Sequence, residues 1–296
     1  MDHKEFVKTL DPDVRSELTT KSDRAGLKRL SAHGGWILVL GCYVAVGAPF
    51  WGLALIPLGI CIVFLFTLLH ETVHSTPFQA ARLNAVVGHV CSILVIVPNT
   101  WFRYFHLAHH KHTNDPLNDP ELETPKPITT QDYIWHISAL PYWANVAKLI
   151  WRQAKGDVAA PYLPERAEPS VMWQARLMIA LYALAVLLVL TGWSWIFWCW
   201  MLPVALGQPF LRAYLLAEHG LCPPVANMFE NTRTTFTNRV VRFLAWNMPY
   251  HAEHHAYPAV PFHKLPELHS LAADQLQSTS VGYVQFHSEY ISGTKR

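Results

Sequence analysis

From Gly35 to Leu69 the chain carries no charged residue. About 20 residues of helix cross a membrane core ~30 Å thick, so this run is too long for one upright helix. The segment "GAPFWG" at 47–52 supplies Gly, Pro and Trp, residues suited to a tight reversal at a membrane surface. The pattern predicts two spans, 34–49 and 52–74. A second pair follows at 175–192 and 193–218, again with a short, Trp-flanked join from Thr191 to Ser194. The apolar stretch "AVVGHVCSILVIVP" (85–98) is short for a span and predicts a re-entrant or membrane-surface helix. In 132–157, Trp135, Trp143 and Trp151 recur at intervals of eight beside Lys148, Arg152 and Lys155. That spacing predicts an interfacial helix, interrupted at Pro141.

Composition agrees. Charged residues are 15% of the chain against a typical ~25%. A net charge of +2 argues against a nucleic-acid partner, which calls for a concentrated basic face. Cys42, Cys61, Cys91, Cys199 and Cys222 have neither zinc-site nor redox-pair spacing and read as small apolar fillers. The first thirty residues lack the apolar core of a secretion signal. They hold Lys4, Lys8, Arg15, Lys21, Arg24, Lys28 and Arg29, whereas the joins at 47–52 and 191–194 hold no Lys or Arg. The positive-inside rule then places both termini and the middle segment in the cytoplasm. The expected architecture is an all-α, multi-pass integral membrane protein with four transmembrane helices. A cytoplasmic segment 1–33 precedes a single membrane domain, 34–296, whose cytoplasmic regions are 75–174 and 219–296.

Against this apolar background the histidines stand out. "HETVH" places His70 and His74 four apart, on one helical face at the end of the second span. "HLAHH" gives His106, His109 and His110, and "HAEHH" gives His251, His254 and His255. Within each triplet the residues three apart share a face, and the adjacent histidine points about 100° away, free to serve a second ion. His219 ends the fourth span. All four groups fall on the side that charge alone assigns to the cytoplasm. Nine imidazoles exceed one ion's needs and suit two, with iron, zinc, copper or nickel compatible. A single Glu-x-x-His pair occurs, Glu71 and His74, where the carboxylate-rich di-iron bundle needs two and further Glu ligands, which argues against that bundle. Ligating imidazoles need acceptors for the second ring N–H, and Asp115, Asp119, Glu218 and Glu253 are candidates. His112 reads as solvated or supporting, and His89 as a hydrogen-bonded core residue. His3, His33, His136, His263, His269 and His287 read as surface or packing.

At these separations the three histidine clusters resemble the histidine boxes of the membrane fatty acid desaturase family, which includes hydroxylases and carotenoid ketolases. The resemblance runs from about Gly35 to His269, and "YHAEHHAYPAVPFHKLP" is most similar to bacterial acyl-lipid desaturases. It implies a cytoplasmic histidine-rich di-iron cap, in the inner membrane if bacterial. It also implies two iron ions, O2 as co-substrate and a lipid acyl chain as substrate. The ligand roles fall on His70, His74, His106, His109, His110, His251, His254 and His255, with His219 as the late histidine. No His-Pro-Gly-Gly motif of a fused cytochrome b5 occurs, which implies a separate electron donor of ferredoxin, rubredoxin or cytochrome b5 type. Leu215 stands where some animal acyl-CoA desaturases carry Asn. Competing readings are a related hydroxylase or ketolase, a zinc-dependent membrane hydrolase and a metal transporter. Transport predicts ionisable residues at span centres, and those centres have none.

Overall fold

The chain opens on two short capped helices, α1 (His3–Thr9) and α2 (Pro12–Leu18). The carboxylates of Asp2 and Asp11 accept from the backbone N–H of Glu5 and Asp13, each at 2.8 Å. Ser22 caps α3 (Asp23–Ala45) through Ala25 N at 3.2 Å. These oxygens satisfy helix-end donors that have no carbonyl partner. The structure, a computed structural model, describes residues 1–295; Arg296, at the end of the expected 34–296 domain, lies outside the described residues.

The first expected span is the second half of α3. It stops at Ala45 rather than 49, because Gly47 (φ 63°) and Phe50 (φ 59°) turn the chain left-handed. Then α4 (Trp51–Val63) and α5 (Leu65–His74) form one 24-residue rod. At the far end, α6 (Ala81–Val95) closes on Ile96 at φ 61°, where Ser92 Oγ donates to the Val97 carbonyl at 2.6 Å. The chain returns as α7 (Asn99–His112), bent by 98°. The stretch expected to be re-entrant is therefore an elbow, with α6 and α7 as its limbs.

The expected interfacial helix is two, α8 (Thr130–Ile137) and α9 (Leu140–Ala154). Pro141 lies in the first turn of α9, where its missing N–H leaves no bond unmade. Trp135 and Trp151 are exposed, while Trp143 packs on the core. α10 (Glu168–Leu190) reverses at Gly192 (φ 110°), and a π-helical turn over Phe197–Met201 leads into α11 (Leu202–His219).

Two stretches among the described residues are long and apolar enough to cross a membrane, Trp51–His74 and Glu165–Leu190. The bent α6–α7 pair makes a third if it is one span. Exposed Leu38, Leu53, Val86, Leu187 and Phe210 spread an apolar surface over α3, α4, α6, α10 and α11. Such an area suits lipid rather than water.

Two glycines set how close the rods come. A Cβ on Gly59 would sit 2.0 Å from the Pro203 carbonyl oxygen, and one on Gly207 2.4 Å from the Gly59 carbonyl. Only hydrogen at both positions lets α4 and α11 touch backbone to backbone, the role small residues play between membrane helices. Leu58, Ile62, Val204 and Leu211 fill the core beside this contact. The C-terminal ends of α5 and α11, with their histidines, are thereby drawn together.

The C-terminal part folds over those ends. It comprises α12 (Met228–Asn231), β1 (Thr234–Phe236), α13 (Arg239–Leu244), α14 (His251–Ala256), α15 (Leu265–Ala272), β2 (Thr279–Val281) and α16 (Tyr283–Gly293). β1 and β2 pair in parallel, Thr234 opposite Thr279. The described residues are mostly helical, as expected, and this pair is an addition to the all-α expectation. The pairing is only three residues long, below what periodicity detects in sequence.

Candidate metal centre

Four helices bring all nine expected histidines to one buried place. α5 supplies His70 and His74, α7 His106, His109 and His110, α11 His219, and α14 His251, His254 and His255. Their ligand atoms form two groups, each with all atoms within 4.8 Å of one another. One is His70, His74, His106, His110 and His254; the other is His109, His219 and His255. His251 lies beside the second group, its Nε2 3.2 Å from that of His219.

The grouping corrects the expected pairing. Spacing suggested His106 with His109 and His251 with His254, leaving His110 and His255 as the odd members. Instead His106 joins His110, and the His251 and His255 rings lie 4.5 Å apart. Residues four apart differ by about 40° around a helix and residues three apart by about 60°, so the i, i+4 pair lies closer in direction. In both triplets that pair shares a group or its edge, and the remaining histidine faces the other way.

Nitrogen faces nitrogen throughout. His106 and His74 approach Nε2 to Nε2 at 3.0 Å, and His109 and His219 at 3.1 Å. Both ring nitrogens of His70, His110 and His254, and Nε2 of His255, are buried with no hydrogen-bond partner. Burying an unpaired polar atom costs ~1–3 kcal/mol. Metal–imidazole bonds of ~2.0–2.1 Å place donor atoms at most ~4.2 Å apart, so these groups need little adjustment to hold ions. The donor set therefore fits two metal ions. Burial pushes the imidazoles of His251, His254 and His255 well below their ordinary pKa, and neighbouring histidines push the same way. They stay neutral, with a lone pair free to bind.

Acceptors behind the rings fix their orientation. Asp119 accepts from His109 Nδ1 at 3.0 and 3.1 Å, and is itself anchored by Asn114 N (2.8 Å) and Glu121 N (2.9 Å). With its proton on Nδ1, His109 turns a bare Nε2 toward His219. Glu218 Oε1 lies 3.5 Å from His251 Nδ1. Two other expected acceptors go elsewhere. Glu253 bonds Thr234 and His269, and Asp115 sits at a surface turn, bonding Leu117 N and Asn118 and reaching only His112, at 4.0 Å. Nearness in sequence selected both, but Glu253, beside His254 on one helix, points away from it, and Asp115 lies in the turn beyond the end of α7.

Sequence reasoning missed Glu71, Glu121 and Thr113. Glu71 is fully buried, its Oε1 4.0 Å from His254 Nδ1, while Oε2 accepts from Phe262 N and Thr76 Oγ1. Glu121 lies 3.6 Å from His109, and Thr113 Oγ1 lies 3.1 Å from His255 Nδ1. The signal for Glu71 lay inside "HETVH", but its partner is on another helix. Among the remaining histidines, two take the packing alternative and one departs from its expected place. His33 is buried between the Cys61 carbonyl (2.8 Å) and Trp246 Nε1 (3.1 Å), and His3 is buried against Met228 N (3.2 Å). His89, expected in the core, is exposed and bonds the Ala85 carbonyl at 2.8 Å. Cys42, read as an apolar filler, is exposed, whereas Cys61 and Cys91 are buried.

The profile of the fatty acid desaturase family matches residues 45–287. A sphingolipid delta(4)-desaturase of Drosophila melanogaster is 23% identical over 69% of this chain, which spans 60% of that protein's length. An sn-1 oleoyl-lipid 12-desaturase of Anabaena variabilis is 22% identical over 87% of this chain and 81% of its own length. A zeaxanthin 4-ketolase of Chlamydomonas reinhardtii is 24% identical over 80% of this chain and 48% of its own.

Proposed function

The chain belongs to the fatty acid desaturase family, and on that premise we propose that it is a membrane-embedded, O2-dependent acyl desaturase acting on a lipid-borne chain. The observation that carries this reading is the pair of buried imidazole groups with unpartnered nitrogens. His70, His74, His106, His110 and His254 would hold one iron, and His109, His219 and His255, with His251 beside them, the second. Held there, two irons would supply the oxidising power to break unactivated C–H bonds with O2. The overall change is –CH2–CH2– plus O2, two electrons and two protons to –CH=CH– and two waters. The electrons come from a separate donor of ferredoxin, rubredoxin or cytochrome b5 type.

The protein's own share is placement and exclusion. Asp119 steadies His109, and Glu218 and Glu71 stand within a small rotation of doing the same for His251 and His254. The Gly59–Gly207 contact holds α5 and α11 in register. Burial keeps bulk water from the reacting carbon. The apolar surface of α3, α4, α6, α10 and α11 supports a reading with four membrane crossings, the elbow re-entrant and α8–α9 along the surface, and the lysines and arginines before the first apolar run support cytoplasmic termini. An acyl chain enters from the bilayer between the crossings.

The ketolase relative supports a second reading, in which oxygen is transferred to the same carbon instead of a neighbouring hydrogen being removed. The deciding experiment is lipid profiling of cells expressing the wild type or His254→Ala, joined to turnover of deuterated acyl lipid. A new alkene, absent from the variant and dependent on O2, is expected. A product that carries one atom from O2 and no new alkene would establish the second reading instead.

A further inference from the structure

An open groove of about 780 Å³ runs from the surface to His110 and His255. At its floor these two rings stack face to face, centroids 3.9 Å apart and planes 7° from parallel. They belong to different groups, His110 to the five and His255 to the three. One opening thus reaches both halves of the centre.

The rim is basic. Lys4 and Lys8 of α1 and Lys111 of α7 are exposed along it, against one partly buried acid, Asp115. The wall is fixed rather than a loose tail. Phe6 is buried edge-to-face against Phe229 at 5.4 Å, and His3 N donates to Asn227 Oδ1 at 3.1 Å. Lys4 and Lys8, four apart, share the helix face beside the groove. No residue of α3, α4, α6, α10 or α11 lines it. The groove is thus walled by α1, the end of α7 and the C-terminal part, separate from the helices that carry the apolar surface.

We propose that this groove docks an acidic one-electron carrier protein, and that the His110–His255 stack is where its electron enters. The inference rests on the reading above, that electrons arrive from a separate donor. In each encounter the reduced carrier loses one electron and the centre gains it. Two encounters supply the two electrons of the overall reaction, and its two protons come from solvent. Three lysines ringing a recessed redox group speed encounter with an acidic partner, and this attraction weakens with salt.

The test measures binding of a [2Fe–2S] ferredoxin, a rubredoxin and a cytochrome b5 to the purified protein, with its metal, in nanodiscs of zwitterionic lipid. The triple variant Lys4→Glu, Lys8→Glu, Lys111→Glu is expected to bind the preferred carrier at least ~10-fold more weakly and to lose the salt dependence. An equal charge change elsewhere, Lys21→Glu, Arg24→Glu, Lys28→Glu, is expected to shift affinity less than ~3-fold. Asp115→Asn, which removes the opposing charge, is expected to tighten binding. Wild type that binds none of the three carriers, or a rim variant that binds as wild type does, overturns the proposal. So does a rim variant that loses only affinity for anionic-lipid nanodiscs, which would assign the groove to a headgroup. Binding needs no turnover, so the two proposals fail separately. A chain that binds through this rim yet forms no alkene sinks the desaturase reading alone.

Discussion

Glu71 and His254 face each other across 4.0 Å with neither side chain reached by solvent. They come from different helices, and neither Glu71 Oε1 nor His254 Nδ1 has a hydrogen-bond partner. A small rotation of either ring or carboxylate makes the bond that would aim His254 Nε2 into the five-histidine group. Supporting carboxylates of this kind are worth about 10–100-fold in metal affinity. Glu71→Gln keeps an oxygen for Phe262 N and puts an amide N–H where the acceptor facing His254 stood. It is expected to accumulate normally and to lose metal in that range, read by metal analysis of purified protein against a chelator series. Wild-type retention would remove Glu71 from the support of the site.

Replacing a ligand should cost activity more than folding. The helices bury their apolar faces whether or not metal is bound, unlike a small metal domain that unfolds without it. His70→Ala and His109→Ala are expected to reach the membrane at wild-type levels, with no desaturated product. His287 is remote from both groups and bonds Tyr133 Oη at 3.1 Å. His287→Ala is expected to cost about 1 kcal/mol or less and to leave product formation intact. Membrane-fraction blots and lipid analysis check both halves.

Much of this centre was readable from spacing, and the limits of that reading are physical. Nine histidines at helical intervals picked out, without coordinates, the side chains that the fold gathers together. Which histidines share a group depends on how α5, α7, α11 and α14 face one another, and one-dimensional spacing carries no such information. The same holds for Glu71, whose neighbour in sequence is His70 but whose neighbour in space is His254. Helix ends shifted for local reasons, such as the left-handed turn at Gly47 that stops α3 at Ala45. The β1–β2 pair escaped because Thr234 and Thr279 are far apart in the chain and their pairing is short.

Acid should destabilise the metal-free protein. His251, His254 and His255 are held neutral in the folded state, their pKa lowered by burial. In the unfolded chain they titrate near ~6.5. Below that pH the unfolded state binds protons that the folded state does not, so stability is present above ~6.5 and lost as pH falls. At pH ~5.5 each such group costs on the order of 1 kcal/mol. The melting temperature of metal-free protein in detergent is expected to fall between pH 8 and 5.5. An unchanged value would show that these imidazoles protonate freely in the fold.

The α4–α11 contact should tolerate no side chain. Gly59→Ala places a methyl where the Pro203 carbonyl already lies, and backbone cannot step aside as a flexible side chain can. Overpacking of this kind costs ~1–3 kcal/mol. Because α4 continues into α5 and α11 ends at His219, separation of the rods is also expected to lower metal content. Gly41→Ala has nothing within 4 Å of its new methyl and serves as the control. It is expected to be neutral or slightly stabilising, since alanine suits a helix better than glycine. Equal melting temperatures for the two variants would mean that α4 and α11 pack less closely than described.

The proposed orientation is open to direct labelling. The turns after α3 and α10 carry no lysine or arginine, whereas seven lie before the first apolar run. Moving a cationic loop across the membrane is disfavoured, so the turns should lie outside and the basic segment inside. Cys42 is exposed on the apolar surface of α3 and is first replaced by serine. In that background Ala48→Cys and Ser194→Cys probe the two turns, and Ser270→Cys probes α15 behind the histidines. An impermeant maleimide added to intact cells is expected to label positions 48 and 194 and to reach 270 only after permeabilisation. Position 270 labelled in intact cells would invert the orientation, placing the basic groove on the outer face. It would then have no access to a cytoplasmic electron carrier, so this one result bears on both the crossing pattern and the docking surface.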